Sequence, residues 1–389
     1  MKKSHSYILF LFILTIFLGS CNALKRVGED QQLLIENTIL VDGKKEKSET
    51  ITNLINQIPN NKLLSFPLRL HIYNLARPNR DSLFDAWLAS HPKKEKRLVK
   101  RYSKKQLNKL KQSSLDFNSW LKKTGEQPII IDTSKTNRTV KNLERFYFKN
   151  GWFNRTVKFQ IDSVGKKRGK IIYKIERNSP YIIDSISTKI ASKLIDSLYQ
   201  INQEKSLLKR GEQFKDIHYG NERDRLTEAF RNSGVFHFSQ DYISFENDTL
   251  LNGNIVNTEI QIENRQIRNE DSIARVPFKI YKIKEVNIIT DDNSKNQGNL
   301  LKDSISYNNK NIYSYGKIKY RPKSIVDAIF INKDSVFSDI DRKRTYRHLN
   351  DLQVFKYPSI NYTVNEVDTT LTANIKLSPR KKYGLGFDI

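Results

Sequence analysis

The sequence predicts an α+β protein assembled from tandem β-α-α-β-β modules. Two observations predict it. A block reading helix end, Asn-Gly or Ser-Gly stop, aromatic, strand, turn, strand occupies residues 143–176 and returns over 226–262. A third copy, over 346–377, keeps the pattern but has no glycine at the stop. Ahead of each copy lie one more strand-like run and more helical sequence. Uneven spacing between the copies excludes a strict solenoid.

In the first copy Leu143, Phe146 and Tyr147 stand at helical spacing, and Asn150-Gly151 ends the helix because glycine takes positive φ at little cost. Phe153, Val157, Phe159 and Ile161 then alternate with polar residues, as in a half-buried strand. A turn over 165–169 leads to Ile171, Tyr173 and Ile175 on one face. The second copy stops at Asn232-Ser233-Gly234, predicts a strand from Val235-Phe236 through Tyr242 into Phe245, turns at Asn252-Gly253, and alternates Val256, Thr258, Ile260 and Ile262. In the third, Gln353-Val354-Phe355 stands at the stop, followed by Ile360, Tyr362 and Val364, a turn near Asp368, and Leu371, Ala373, Ile375 and Leu377. Without a glycine, this helix has to stop some other way.

The chain opens with Lys2 and Lys3 before an apolar run over 7–18, the length of a signal h-region and too short to span a bilayer. Leu18-Gly19-Ser20-Cys21 reads as a lipobox, and Cys21 is the only cysteine. Residues 1–20 are therefore expected to be a lipoprotein signal peptide, with a covalent lipid such as palmitate on the Cys21 sulfur and no other cofactor. With Cys21 consumed, no disulfide is available and the fold must rest on core packing.

At 389 residues the chain holds two to four domains. Its formal charge is +26, or +24 once Lys2 and Lys3 leave with the signal. An export signal removes nucleic acid as the partner of this charge; anionic headgroups and acidic client segments remain, as does biased Lys, Asn and Ile usage.

Residues 21–31 read as a polar tether, and 33–41 as a strand before the Asp42-Gly43 turn. A helix is expected over 50–58, capped by Ser48. Residues 63–75 are strongly apolar, with Pro67 inside, and Leu83, Phe84, Trp87 and Leu88 follow the Arg77-Pro78 break. A cationic run over 91–111 contains Lys93, Lys94, Lys96, Arg97, Lys100 and Arg101 on a thin apolar stripe; the choice is between a solvated face and a helix on a membrane surface. GEQPIIID, residues 125–132, is an extended connector because Pro128 disfavours helix before it. Helix resumes near Asn137. The expected divisions are a first module over 32–178 with a helical insertion, a second over 179–265, a polar linker over 266–277, and a third over 278–379.

The sequence carries no catalytic constellation. His5, His71, His91, His218, His237 and His348 are scattered, and no phosphate loop or G-x-S-x-G elbow occurs. Asp291-Asp292-Asn293 and Asp339-Ile340-Asp341 belong in a loop and at a helix start. An enzyme is not expected, and neither catalytic nor metal residues are assigned.

These features together resemble the polypeptide-transport-associated (POTRA) module of the BamA/TamA superfamily of outer-membrane assembly factors, over nearly all of residues 32–379. The most specific piece is the helix–glycine–aromatic–strand at Asn150-Gly151-Trp152-Phe153 and at Ser233-Gly234-Val235-Phe236. The lipobox, the apolar segment before Arg77-Pro78, GEQPIIID and the run from Leu207 to Phe214 (LLKRGEQF) are similar to the lipoprotein branch, the TamL type of the Bacteroidetes. The resemblance implies periplasmic domains, held at the outer membrane by Cys21, that guide unfolded outer-membrane proteins by strand augmentation. The alternative is a structural adaptor for an inner-membrane or periplasm-spanning partner.

It also implies that each module's last strand lies mid-sheet, leaving the first hairpin strand as the free edge. The expected docking edges are 153–161, 236–245 and 355–364. Within them stand Phe153, Arg155, Thr156, Val157, Lys158, Phe159, Phe236, Phe238 and Tyr242, with Pro358 weakening the third. Members of the family continue into a membrane barrel. Here 380–389 is expected to be its first strand, with Tyr383, Leu385, Phe387 and Ile389 alternating with Gly384, Gly386 and Asp388. The chain is then a fragment or a product that ends where the barrel begins.

Overall fold

A computed structural model describes residues 23–78, 86–87, 89–101, 103–249, 253–269, 272–293, 296 and 299–380. The signal peptide, Cys21, the apolar residues Leu83, Phe84 and Leu88, and residues 381–389 of the expected barrel strand lie outside the described residues. The chain divides into two compact units, with the division between Pro180 and Tyr181. The first module is one unit; the second and third, expected to be separate domains, share the other.

Unit one contains β1 (Leu33–Val41), β2 (Lys44–Glu46), α1 (Glu49–Thr52), α2 (Leu68–Leu75), α3 (Pro92–Arg101), α4 (Lys104–Thr124), α5 (Thr133–Lys149), β3 (Thr156–Ser163) and β4 (Arg168–Glu176). Its sheet runs β2-β1-β4-β3, with β1 and β4 parallel and the other pairs antiparallel. Ile171, Tyr173 and Ile175 of β4 are buried against Leu143 and Tyr147 of α5, as their spacings predict. Helix α5 starts a turn earlier than expected because the Asp132 carboxylate accepts from the Ser134 and Lys135 N–H groups. It ends at Asn150, with Gly151 at φ +85°. Helix α1 is a single turn, and Ser48 makes no side-chain cap bond.

The expected tether is not loose where it is described. Ala23 and Val27 are buried with Leu33 and Leu70, because one helical turn between them puts both on the same face.

Unit two begins with β5 (Ile182–Ile190), α6 (Lys193–Asn202), α7 (Asp216–Asn232), β6 (Ile243–Asp248) and β7 (Ile255–Ile262), in sheet order β5-β7-β6. Next comes β8 (Arg265–Asn269) paired with β9 (Ser272–Val276), a hairpin where a linker was expected. The third module has β10 (Lys282–Ile289), β11 (Asp303–Tyr307), β12 (Lys310–Ser314), α8 (Pro322–Val326), α9 (Asp339–Asp351), β13 (Phe355–Asn365) and β14 (Thr370–Pro379), in order β11-β12-β10-β14-β13. The β11–β12 hairpin was not foreseen. Helix α9 stops without glycine because Gln353 takes φ +54°.

The three modules share a structural signature. In each, the first strand pairs in parallel with the last, and the register slips at the same point: after Leu34, after Ile183 and after Ile283. In each, the stretch leading into the second helix docks beside that slip. Leu34 donates to the Ile129 carbonyl, Ile183 to Glu212 and Ile283 to Ser335; Ile131, Phe214 and Phe337 donate back to Gln32, Tyr181 and Tyr281. GEQPIIID and the GEQF of residues 211–214 are therefore equivalent parts.

Candidate strand-edge docking site

A sheet edge can accept a new strand only if its outer backbone groups are unpaired. On the outer side the docked connector takes up Gln32 to Leu34, Tyr181 to Ile183 and Tyr281 to Ile283; β12 adds cover on β10, whereas β5 stays a terminal strand beyond Ile183. In unit one β2 covers Ile39 to Val41 of β1, and residues 129–131 cover Gln32 to Leu34. The outer face of this connector is sealed in turn by two buried amides. Asn60 donates to the Gln127 carbonyl at 2.7 Å and accepts from Ile129 N–H at 3.1 Å; Gln57 donates to the Ile130 carbonyl and accepts from Asp132 N–H at 3.1 Å. Two side chains thus stand in for a missing strand.

The opposite edge is β3, with β4 inside it. It pairs with β4 from Thr156 to Ser163 without a slip, and every second residue aims its N–H and C=O away from β4. Val157 is buried and Phe159 half-buried in the core, whereas Thr156, Lys158 and Gln160 are exposed. Phe153 and Arg155, expected at the strand edge, precede the strand. Arg155 is occupied: it donates to the carbonyls of Glu144 (3.1 Å) and Phe153 (2.8 Å) and lies over the Phe148 ring.

The edges in unit two differ. Strand β6 is shorter and exposes Glu246 and Asp248. Strand β13 slips between Lys356 and Ser359, around Pro358, which has no donor to offer.

Phe236, Phe238 and Tyr242 do not belong to the β6 edge, contrary to expectation. The alternation from Val235 to Phe238 is that of a turn filling a joint, and the strand starts only at Ile243. Phe238 is fully buried, 5.0 Å from both Phe230 and Phe278. Phe236 packs on Phe337 and Tyr362 of the third module. Arg231 closes the joint by donating to the carbonyls of Phe236 and Phe238 and to Asp339 Oδ1 at 3.2 Å. Burial alone would raise the Asp339 carboxyl, but Arg342 and Arg231 outweigh it and hold it below the usual range.

A second polar cluster sits at the same joint. Tyr281 and Arg265 donate to Glu366, and His237 Nε2 lies 3.2 Å from Glu366 Oε1 without hydrogen-bond alignment. The Tyr281 bond, helped by Arg265, holds Glu366 low. Burial, then the neighbouring Glu366, pushes the Tyr281 hydroxyl up to about 12. Burial, then Arg265, lowers His237. These groups wall a mainly apolar cavity of about 520 Å³ with Ile267, Val276 and Phe278. No sequence signal marked this cluster, because its members come from four separate segments.

Lys93, Lys94, Lys96, Arg97, Lys100 and Arg101 all lie on α3 and are exposed, and Lys94 Nζ stands 5.7 Å from the Trp87 ring centre. Cys21 is outside the described residues. Among those residues no group of three or more His, Cys, Asp or Glu could hold a metal ion, and no helix is long and apolar enough to cross a membrane.

The description that the geometry supports is a mixed α+β fold of repeated strand–helix–hairpin modules, in each of which the first hairpin strand is a terminal strand of its sheet. No protein-family model matches the chain, and no curated protein is significantly similar to it. Several solved structures are similar to it. POTRA domains 3–5 of Haemophilus influenzae BamA match with 7% identity and TM-score 0.35, over 91% of this chain and 99% of that one. POTRA domains 1–3 of the periplasmic domain of Omp85 from Anabaena match with 8% identity and TM-score 0.24, over 91% and 98%. The N-terminal domain of Omp85 from Thermosynechococcus elongatus matches with 8% identity and TM-score 0.24, over 66% and 88%.

Proposed function

We propose that this chain is the periplasmic polypeptide-binding region of an outer-membrane protein assembly or translocation factor of the TamL lipoprotein type. It takes unfolded outer-membrane proteins as an added strand on β3. The observation that carries this reading is the asymmetry of the first sheet: the β1 side is closed by β2, the connector and two side-chain amides, while β3 is open over its whole length. Backbone pairing is largely indifferent to side chains, which suits a receptor of many clients. Lys158 adds attraction for acidic segments, and the basic chain as a whole does the same.

Cys21 carries the lipid anchor, the exposed cations of α3 face the anchored membrane, and 380–389 opens a barrel strand. The mechanism is binding, with no bond chemistry. Photo-crosslinking residues at Thr156 and Lys158 should capture outer-membrane proteins in cells, and Thr156→Pro, with the domain still folded, should reduce capture from Lys158. Equal capture from the helix-face positions Lys141 and Lys193 would refute strand addition. A single stoichiometric partner with no client crosslinks would favour the adaptor.

A further inference from the structure

The insert between β1 and α5 exposes apolar side chains that a monomer in water has no use for. On α4, Phe117 and Trp120 are 60% and 53% exposed and stacked 5.8 Å apart, whereas Asn118 and Leu121 of the same helix are buried. Leu64 is 96% exposed at the tip of a turn closed by Leu63 and Phe66. Leu64 and Ser65 both hold left-handed backbone, at φ +48° and +70°. Two successive non-glycine residues in that region are strained, and the strain here holds a leucine out in solvent.

The charge around them has one sign. Helices α3 and α4 together carry twelve basic residues and two acidic ones, Glu95 and Asp116. Exposed Trp, Phe and Leu flanked by lysine is the composition of a surface that lies in the headgroup region of an anionic bilayer.

The first described residues supply an independent observation. Asn74 of α2 donates to the Ala23 carbonyl, Lys25 donates to the Asn74 carbonyl, and Arg26 donates to the Ala76 carbonyl while lying over Tyr73. Helix α2 is tied to α4 in turn, because Asn118 both accepts from Arg77 N–H and donates to the Arg77 carbonyl. Residues 23–27, α2 and α4 are one packed body. Cys21 is two residues before Ala23, so the two Cα atoms are at most about 7 Å apart in any backbone conformation. A lipid on Cys21 has no tether to swing on.

We propose that this body is a membrane-docking face that seats on an anionic phospholipid surface. Phe117 and Trp120 are its inserting pair, with Lys123, one turn on from Trp120, beside them on the headgroups. The inference deepens the lipoprotein reading and rests on it only for the orientation; the aromatic–cationic face binds lipid without the acyl chain.

The test uses the mature chain with Cys21→Ser, which has no acyl group. It should float with vesicles containing phosphatidylglycerol, not with phosphatidylcholine alone, and high salt should release it. Phe117→Ala with Trp120→Ala should weaken flotation about tenfold, and Lys123→Glu should weaken it without removing an aromatic. With Trp87 and Trp152 replaced by Phe, Trp120 emission should shift blue on vesicles and be quenched by brominated lipid. Circular dichroism and crosslinking from Thr156 should be unchanged in the flotation variants.

Flotation without any dependence on Phe117 and Trp120 would overturn the proposal. So would no flotation together with a Trp120-dependent dimer in ultracentrifugation, which would give the face to a second copy. Mass spectrometry of the wild-type N-terminus reads the lipid separately: an unmodified Cys21 with flotation intact would sink the anchor and leave the face.

Discussion

The ring of Phe236 stands perpendicular to that of Phe337, with centroids 5.0 Å apart. One follows the helix stop of the second module, and the other leads into the last helix of the third. This edge-to-face pair, extended by Tyr362 and Tyr281, makes two sequence repeats into a single unit.

Phe236→Ala should therefore act on cooperativity as well as stability. Loss of a large, partly buried ring costs roughly 2–4 kcal/mol. Thermal unfolding of unit two should broaden or split into two transitions, and protease sites should open near the β8–β9 hairpin. A single sharp transition at an unchanged midpoint would show that the ring does not couple the modules.

Gly234→Ala should be more damaging than its size suggests. Gly234 sits at φ +97°, and an added Cβ would come within 2.5 Å of Val336 Cγ1 and 2.7 Å of Ile280 Cγ2. Left-handed strain of roughly 1–2 kcal/mol adds to that overlap. The same change at Gly211, also left-handed but with open space around it, is the control and should cost only the strain. Equal urea midpoints for the two variants would contradict the close approach.

The third module offers the opposite test. Gln353 performs, at φ +54°, the task glycine performs in the other two. Gln353→Gly should raise stability by about 1 kcal/mol, read as a higher urea midpoint at constant slope. Destabilisation would mean that the glutamine side chain contributes more than its backbone strain takes away.

The amides that seal the first sheet can be removed one at a time. Asn60→Ala and Gln57→Leu each leave two backbone groups of the connector without partners, at about 1–3 kcal/mol per buried group. Hydrogen exchange at Ile129, Ile131 and Asp132 should quicken, and the variants should self-associate through the newly exposed edge. Unchanged exchange would show the connector to be held by β1 alone.

Acid should weaken the joint of unit two. Glu366 and His237 both have folded-state pKa values below their unfolded ones. Their contribution is present above the unfolded values and is lost as pH falls, first for His237 below about 6.5 and then for Glu366 through the carboxylate range. Glu366 is half exposed, so its share is small. Urea midpoints of unit two should fall between pH 7 and pH 5, and His237→Gln should flatten that window. An unchanged slope in the variant would remove His237 as the cause.

Much of this architecture was legible in the sequence because periodicity reports burial. Ile171, Tyr173 and Ile175 had to share a face, and Asn150-Gly151 had to end a helix. The resemblance to POTRA modules placed the last strand of each module mid-sheet, as it is. What misled was alternation that serves a joint. Val235 to Phe238 alternates like a strand, but the partners of Phe236 are rings 101 and 126 residues on, Phe337 and Tyr362, that no local pattern reveals. The Gln57 and Asn60 seal was illegible for a related reason: polar residues in a loop read as solvated, and only the chain's return at Ile129 turns them into a strand substitute. The packing of Ala23 and Val27 was hidden in a run that is polar on average.

The shared register slip has a consequence for how such a chain can grow. In every module the connector returns to the same rung of the first strand, whatever lies between. That interval is residues 42–128 in the first module, 191–210 in the second and 290–333 in the third, and it holds β2 with α1 to α4, α6 with a short 3-10 turn, and the β11–β12 hairpin with α8. The rung works as a doorway: new segments enter and leave there without disturbing the open edge on the far side. A module can thus gain a helical insert, a hairpin or a single helix, while the terminal hairpin strand on the far side stays the same.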